Sequence, residues 1–453
     1  MNLKIYSIIN IIIFFSFLGN FGIKIIGQSI YYYYIIEILL LSIIFFKNGL
    51  RINTSNAEIK LIITFFFLIL ISSFVNVFAD VPDFKGQSIT TSSLKSIIYI
   101  LLNFLMINLI VYYGDNQRFF DGLLKTLKYI ILFYFMFFVL ELYHDYFAKN
   151  DIINYILNFF HISSRSINKN FINLLGHEHS NSTIYVLILY SYMISNIINQ
   201  KRVFGFLLID IFILVALIIS IFLLESKLGY LIFGVLNFVI LIVQILNSQK
   251  SLKFFFTIFI LSFLLYFFYL MFEYKVVKAM SLILNYNHPS FNIRANFAIA
   301  SLYMMFENPF LGVGVNNFKF YLSDTIYALK SIEWLDIKVD GASLEYNSYL
   351  NNEFGMPDPA NLILGIGAEM GVFTLLVFLL LLLRLFFKSY SQVKKRYFTK
   401  DEKILAQFLF YSLVVIIFSF PGFYQWYFII QWIIIGLNIC FFAYIRTKYI
   451  LKK

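Results

Sequence analysis

Along the chain, apolar runs of about 17–25 residues alternate with shorter polar segments, the length a helix needs to cross the hydrocarbon of a bilayer. The runs fall at 5–26, 30–46, 59–78, 95–113 and 123–143, then at 180–198, 203–223, 228–247 and 253–272, and finally at 361–387, 404–420 and 423–446. This pattern predicts an all-α integral membrane protein of about 12 transmembrane helices. N-terminal helices occupy 1–143, a first long loop 144–179, central helices 180–272, a large loop 273–360 and C-terminal helices 361–453. The first run lacks a small-residue cleavage site and reads as a retained span.

Composition sharpens the pattern. The 453 residues are 61% hydrophobic and 13% charged, with a mean hydropathy of +0.82. A soluble domain carries about a quarter charged residues, so lipid is the solvent for most of this chain. The net charge of +11 would fit a nucleic-acid partner, but its distribution excludes that reading. Basic residues gather in alternate loops: Lys47 and Arg51; Arg118, Lys125 and Lys128; Lys201 and Arg202; Lys250 and Lys253; Lys394 to Lys403; and Arg446 to Lys453. The positive-inside rule makes that side cytoplasmic and puts both termini there. All six prolines fall in segments of the opposite side, as expected if helix interiors exclude them. The single cysteine, Cys440, permits no intrachain disulfide, and no thiol cluster for structural zinc exists.

Candidate chemistry concentrates on the non-cytoplasmic side. Leu224-Glu225-Ser226-Lys227-Leu228-Gly229 forms a tight turn between two spans, and Lys227 opens the second. A cation there sits at lipid-phosphate depth, and the same position suits a snorkelling interfacial lysine. Over Ser290–Phe306, Ile293, Phe297, Ala300 and Met304 recur at helical spacing beside Arg294, predicting a helix in the interface with its guanidinium at phosphate depth. Glu307 to Phe318 contains Pro309, Gly312, Gly314 and Asn316, a turn built for close backbone approach. Pro357-Asp358-Pro359-Ala360-Asn361 leads into a span bearing Glu369, which fits either a functional carboxylate or one bonded to a neighbouring helix. Gly176-His177-Glu178-His179-Ser180-Asn181 closes the first long loop; Ser180 and Asn181 suit a helix N-cap. Its two imidazoles lack further ligands, so no metal is expected.

Taken in order, these residues resemble the O-antigen ligase and O-antigen polymerase superfamily of bacterial envelope glycosyltransferases. Asn308-Pro309-Phe310-Leu311-Gly312-Val313-Gly314 is close to the family's Asn-Pro-x-x-Gly-x-Gly block, with Arg294 standing upstream where the family has an arginine. Ser226-Lys227-x-Gly229 resembles its Ser-Arg-Gly turn with Lys for Arg. Asp358-Pro359-Ala360-Asn361, followed by Ala368-Glu369-x-Gly371, resembles its Asp-Pro-His-Asn and Ala-Glu-x-Gly segments. The resemblance covers roughly 165–390 and implies a GT-C-like membrane fold in the bacterial cytoplasmic (inner) membrane. It implies metal-independent, cofactor-free, inverting glycosyl transfer on the periplasmic side, from a glycan on undecaprenyl diphosphate.

In that reading Lys227 and Arg294 bind the diphosphate, while Ser226, Gly312, Gly314, Asn316, Asn361 and Glu369 support them. The family's histidine, which activates the acceptor hydroxyl, is here Ala360, whose methyl group accepts no proton. Either Glu178, His179 or Asp358 serves as base, or a His→Ala change has inactivated the chain. The resemblance implies membrane lipid as surroundings and, for a polymerase, a separate chain-length regulator. A repeat-unit polymerase is the leading expectation. An O-antigen ligase using lipid A core and a protein O-oligosaccharyltransferase are the alternatives within the family. A transporter or flippase of lipid-linked sugars competes from outside it, although no internal repeat is visible and the polar residues crowd one side. A purely structural scaffold would have no need of cations at phosphate depth.

Overall fold

The computed structural model describes residues 5–17, 22–25, 28–31, 35–42, 56–146, 179–199, 204–224, 226–247, 289–330, 357–359, 361–422 and 429–449. Its helices are α1 (Ile5–Phe17), α2 (35–42), α3 (Ala57–Asn76), α4 (Ile89–Tyr113), α5 (Gln117–Tyr146), α6 (His179–Asn199), α7 (Phe204–Leu223) and α8 (Lys227–Asn247). They continue with α9 (Pro289–Glu307), α10 (Phe318–Lys330), α11 (Leu362–Met370), α12 (Val372–Val393), α13 (Lys400–Ser419) and α14 (Ile429–Tyr449). A short 3-10 turn, Phe420–Gly422, follows α13. Among the described residues, eight helices are long and apolar enough to cross a membrane: α3, α4, α5, α6, α8, α12, α13 and α14. The chain is therefore an α-helical, multi-pass membrane protein.

Polarity decides which helices are central. The spanning windows of α6, α13 and α14 are 83%, 83% and 89% buried, against 33–50% for the other five. These three also have the lowest hydropathy, 1.2 to 1.7 against 1.9 to 2.3. In lipid the outer faces must be the most apolar, and polar side chains turn inward to find partners. Ser191, Ser195, Gln407, Ser412 and Asn438 are all buried. Tyr190 Oη donates to Asn237 Oδ1 (2.6 Å), Ser389 Oγ to Asn438 Oδ1 (2.6 Å), and Asn199 Nδ2 to Gln407 Oε1 (2.7 Å). Around these bonds packs one continuous apolar core containing Phe65, Phe378 and Trp432.

Two of the expected spans are modified. The run 5–26 is a 13-residue helix, α1, followed by an antiparallel hairpin of Gly22–Ile25 (β1) and Gln28–Tyr31 (β2), with Gly22 opposite Tyr31 and Ile25 opposite Gln28. Gly19, Asn20 and Gly22 interrupt the helix signal, and the polar-apolar alternation after them has the period of a strand. The run 361–387 divides into α11 and α12 at Gly371, whose φ of +84° belongs to the left-handed region. The helix over 289–307 turns its expected apolar stripe onto protein. Phe297, Ala300 and Met304 are buried in a second core with Val313, Phe318, Leu322 and Ala368. The expected span 253–272 lies outside the described residues.

Candidate functional site

A buried carboxylate ties the glycine-rich block to the broken span. Glu369, 1% exposed near the end of α11, accepts from the backbone N–H of Asn316 (2.7 Å, Oε2) and of Phe318 (2.9 Å, Oε1). Phe318 opens α10, so the anion sits at the positive end of that helix dipole. Backbone bonds extend the junction: Val313 N donates to Ala368 O (3.0 Å), Gly314 N to Glu369 O (2.8 Å), and Val372 N to Pro309 O (2.8 Å). Such proximity needs glycine. Gly312, at φ +64°, would press a Cβ into the Ala368–Glu369 backbone, and a Cβ on Gly371 would meet the Phe310 carbonyl. The two motifs, which lie over fifty residues apart, fold as one latch.

Sequence reasoning missed the other half of this latch. Ser72, on α3, donates to the carbonyls of Leu311 and Glu369, and Asn76 Nδ2 to Gly312 O (3.3 Å). On α4, Ser92 Oγ donates to Asn316 O (3.0 Å), and Ser93 meets the side chain of Asn317 (3.1 Å). The sequence offered only polarity, in the i, i+4 pair Ser72 and Asn76 and in the run Thr90-Thr91-Ser92-Ser93 at the head of α4. Lys319 also went unremarked. It is 3% exposed, and its ammonium donates to Gln87 Oε1 (3.1 Å) and lies 5.2 Å from the Phe320 ring centroid. Burial pushes its pKa down to about 8; nearby Glu369 resists that shift and Lys95 adds to it.

The remaining motifs assemble at the same end of the bundle. Ser226 caps α8 by accepting from Gly229 N (3.1 Å), and Lys227 is the first residue of that helix, as expected. Gly229 lets α8 press against Thr183 in the first turn of α6. Because α6 runs antiparallel to α13, its first turn lies level with the end of α13 and the turn that follows. Asn361 joins there: its Oδ1 caps α11 by accepting from Leu364 N (3.1 Å), and its Nδ2 donates to Pro421 O (3.4 Å). The N-termini of α6 and α8 thus lie together, and that of α11 meets the turn after α13, each carrying positive partial charge.

The structure places the sequence candidates unequally. Gly312, Gly314, Asn316 and Glu369 meet in one latch; Asn316 contributes its main chain, at φ +61°. Ser226 and Asn361 are helix caps. Asp358 is exposed between buried Pro357 and Pro359. His179 is the first residue of α6, so Ser180 and Asn181 lie within the helix and not at the cap before it. The side chains of His179, Lys227 and Arg294, together with Glu178 and Ala360, lie outside the described residues. Arg294 belongs to α9, which packs on α11.

This geometry gives the comparison with known families its meaning. No curated protein matches the chain. Residues 212–379 match the family model described as O-antigen ligase. The matched stretch includes the α8 turn, α9, the glycine-rich block and α11, and so both partners of the Glu369 junction. Residues 212–379 thus carry the domain of the O-antigen ligase/polymerase superfamily, the family that the motifs resemble.

Proposed function

We infer that this protein polymerises undecaprenyl-diphosphate-linked oligosaccharide repeat units by metal-independent, inverting glycosyl transfer on the periplasmic side of the bacterial inner membrane. The observation that carries this reading is the family match over 212–379, on a segment whose motifs are locked together by Glu369. Lys227, at the start of α8, and Arg294, on α9, hold the donor diphosphate; a guanidinium can bind such oxygens bidentately. The bond from the anomeric carbon to the diphosphate breaks as the acceptor oxygen bonds to the opposite face of that carbon. Charge developing on the leaving diphosphate is stabilised by those cations and by helix N-termini. The acceptor proton passes to a base near position 360. With alanine there, Glu178, His179 or Asp358 takes the role.

Purified protein incubated with lipid-linked repeat alone should give a ladder of products. Lys227→Ala and Arg294→Ala should each lower its yield by about 10²–10³-fold while the protein still inserts in the membrane. Wild-type ladders from both variants would overturn the reading. If the wild-type chain makes no ladder and Ala360→His restores one, the alanine is an inactivating change. A second reading, ligation of the glycan to lipid A core, is favoured by the description of the matching family. It predicts product only when core lipid is added.

A further inference from the structure

A crevice of about 740 Å³ opens between α1 and α5, at the end of the bundle opposite the latch. The location follows from α4, whose first turns touch Asn316 and whose last residue precedes the 114–116 link into α5. Its walls are polar at one end, with Ser7, Asn10, Lys125 and Thr126, and mainly apolar beyond Tyr129, with Phe14, Leu132, Phe133 and Met136. Asn10 lies beside Gly122, whose missing side chain lets the two helices meet at the polar end. Phe14 and Phe133 meet deeper, with ring centroids 6.0 Å apart. From Lys125 to Met136 the helical rise is about 16 Å, close to half the hydrocarbon thickness of a bilayer.

One cation stands at the shallow end. Asn10 beside it is 6% exposed and donates to Phe119 O (3.4 Å), with its Oδ1 enclosed by protein. Lys125 forms no ion pair among the described residues. The geometry points to a resident-lipid site: one anionic bilayer phospholipid seated with its phosphate at Lys125 and an acyl chain along Phe14, Leu132 and Met136. Phosphatidylglycerol carries that charge. The crevice opens at the end away from the motifs, so its occupant is a bulk lipid and not the glycan carrier.

Native mass spectrometry of the full-length protein tests this, with phosphatidylglycerol, phosphatidylcholine and undecaprenyl phosphate as separate and competing probes. The wild type should retain one phosphatidylglycerol and release phosphatidylcholine. Lys125→Gln should lower phosphatidylglycerol occupancy about fivefold, as expected for one cation near a lipid phosphate, and Lys60→Gln, outside the crevice, should not. Ile11→Trp, which fills the crevice, should remove the bound lipid. Equal retention of phosphatidylcholine, unchanged occupancy in Lys125→Gln, or displacement of phosphatidylglycerol by undecaprenyl phosphate would each overturn the proposal. The wild-type headgroup comparison decides the matter even where a variant fails to fold.

Discussion

Buried carboxylates stand at both ends of the bundle, and cations hold only those at one end, although Glu402 there also accepts from Thr399 N (2.8 Å). At the motif end, Glu369 accepts from main-chain N–H groups of Asn316 and Phe318. At the other end, Glu58 accepts from Arg384 Nε (2.6 Å) and Lys388 Nζ (3.0 Å), and Glu402 from Lys448 Nζ (2.7 Å) and Tyr449 Oη (2.8 Å). A cation on a long side chain fixes a distance between helices: α3 to α12 for Glu58, α13 to α14 for Glu402. A main-chain donor fixes the path of the chain itself. The motif end spends its carboxylate on the conformation of a loop, which is what a site needing fixed backbone groups requires.

The sharpest way to break this contrast is to remove both kinds of carboxylate. Glu369→Ala leaves one buried and one half-buried N–H group without an acceptor and should destabilise the protein by about 2–4 kcal/mol, read as thermal unfolding in detergent. Glu58→Ala should cost only about 1 kcal/mol, because the side chains of Arg384 and Lys388 are 51% and 38% exposed and stay solvated. Equal losses would show that the two ends are held alike. Gly371→Ala tests the backbone half of the latch. The strained φ and the contact with Phe310 O should cost about 2–3 kcal/mol, with glycosyl transfer falling in parallel. At the basic end, Thr399→Ala removes a capping box shared with Glu402 and should cost about 1 kcal/mol.

The smallest effect is a slope with pH. Lys319 holds a proton in the folded protein only up to about pH 8, whereas an unfolded lysine does so to about 10.4. Between those values the unfolded chain binds more protons, so stability rises with pH. The cost of the buried charge is fully present below the folded pKa and fades above it. Lys319→Gln should lack that rise, which unfolding curves on either side of about pH 8 would reveal. A wild-type slope no steeper than the variant's would place the ammonium in contact with water.

Much of the membrane fold was legible because lipid imposes one rule on every span: twenty or so apolar residues in a helix. Pro289 at the head of α9 and Pro421 after α13 fell where the helices begin or end. The hairpin after α1 was overlooked because Ile-rich strands and Ile-rich spans share a composition, although Gly19, Asn20 and Gly22 interrupt the run. The break at Gly371 was not legible, because a glycine within an apolar run reads as a packing residue as readily as a stop.

The site shows the same division. Residue types and their order identified the family, because Gly312, Gly314 and Glu369 are demanded by close backbone contacts that other residues would disrupt. Their partners did not announce themselves. Ser72, Asn76, Ser92 and Ser93 are ordinary polar residues in spans, and only folding shows that they face the 311–317 loop. Whether Glu369 served catalysis or packing was likewise open from the sequence. Its burial against the first turn of α10 gives it a structural partner. Sequence alone determined a lipid-embedded helical chain with its motif residues clustered on one side, since solvent and motif spacing are both written in one dimension. Tertiary structure decided which helices are central, which carboxylate locks a loop and which locks helices together, because hydrogen-bond partners far apart in the chain meet only in the fold.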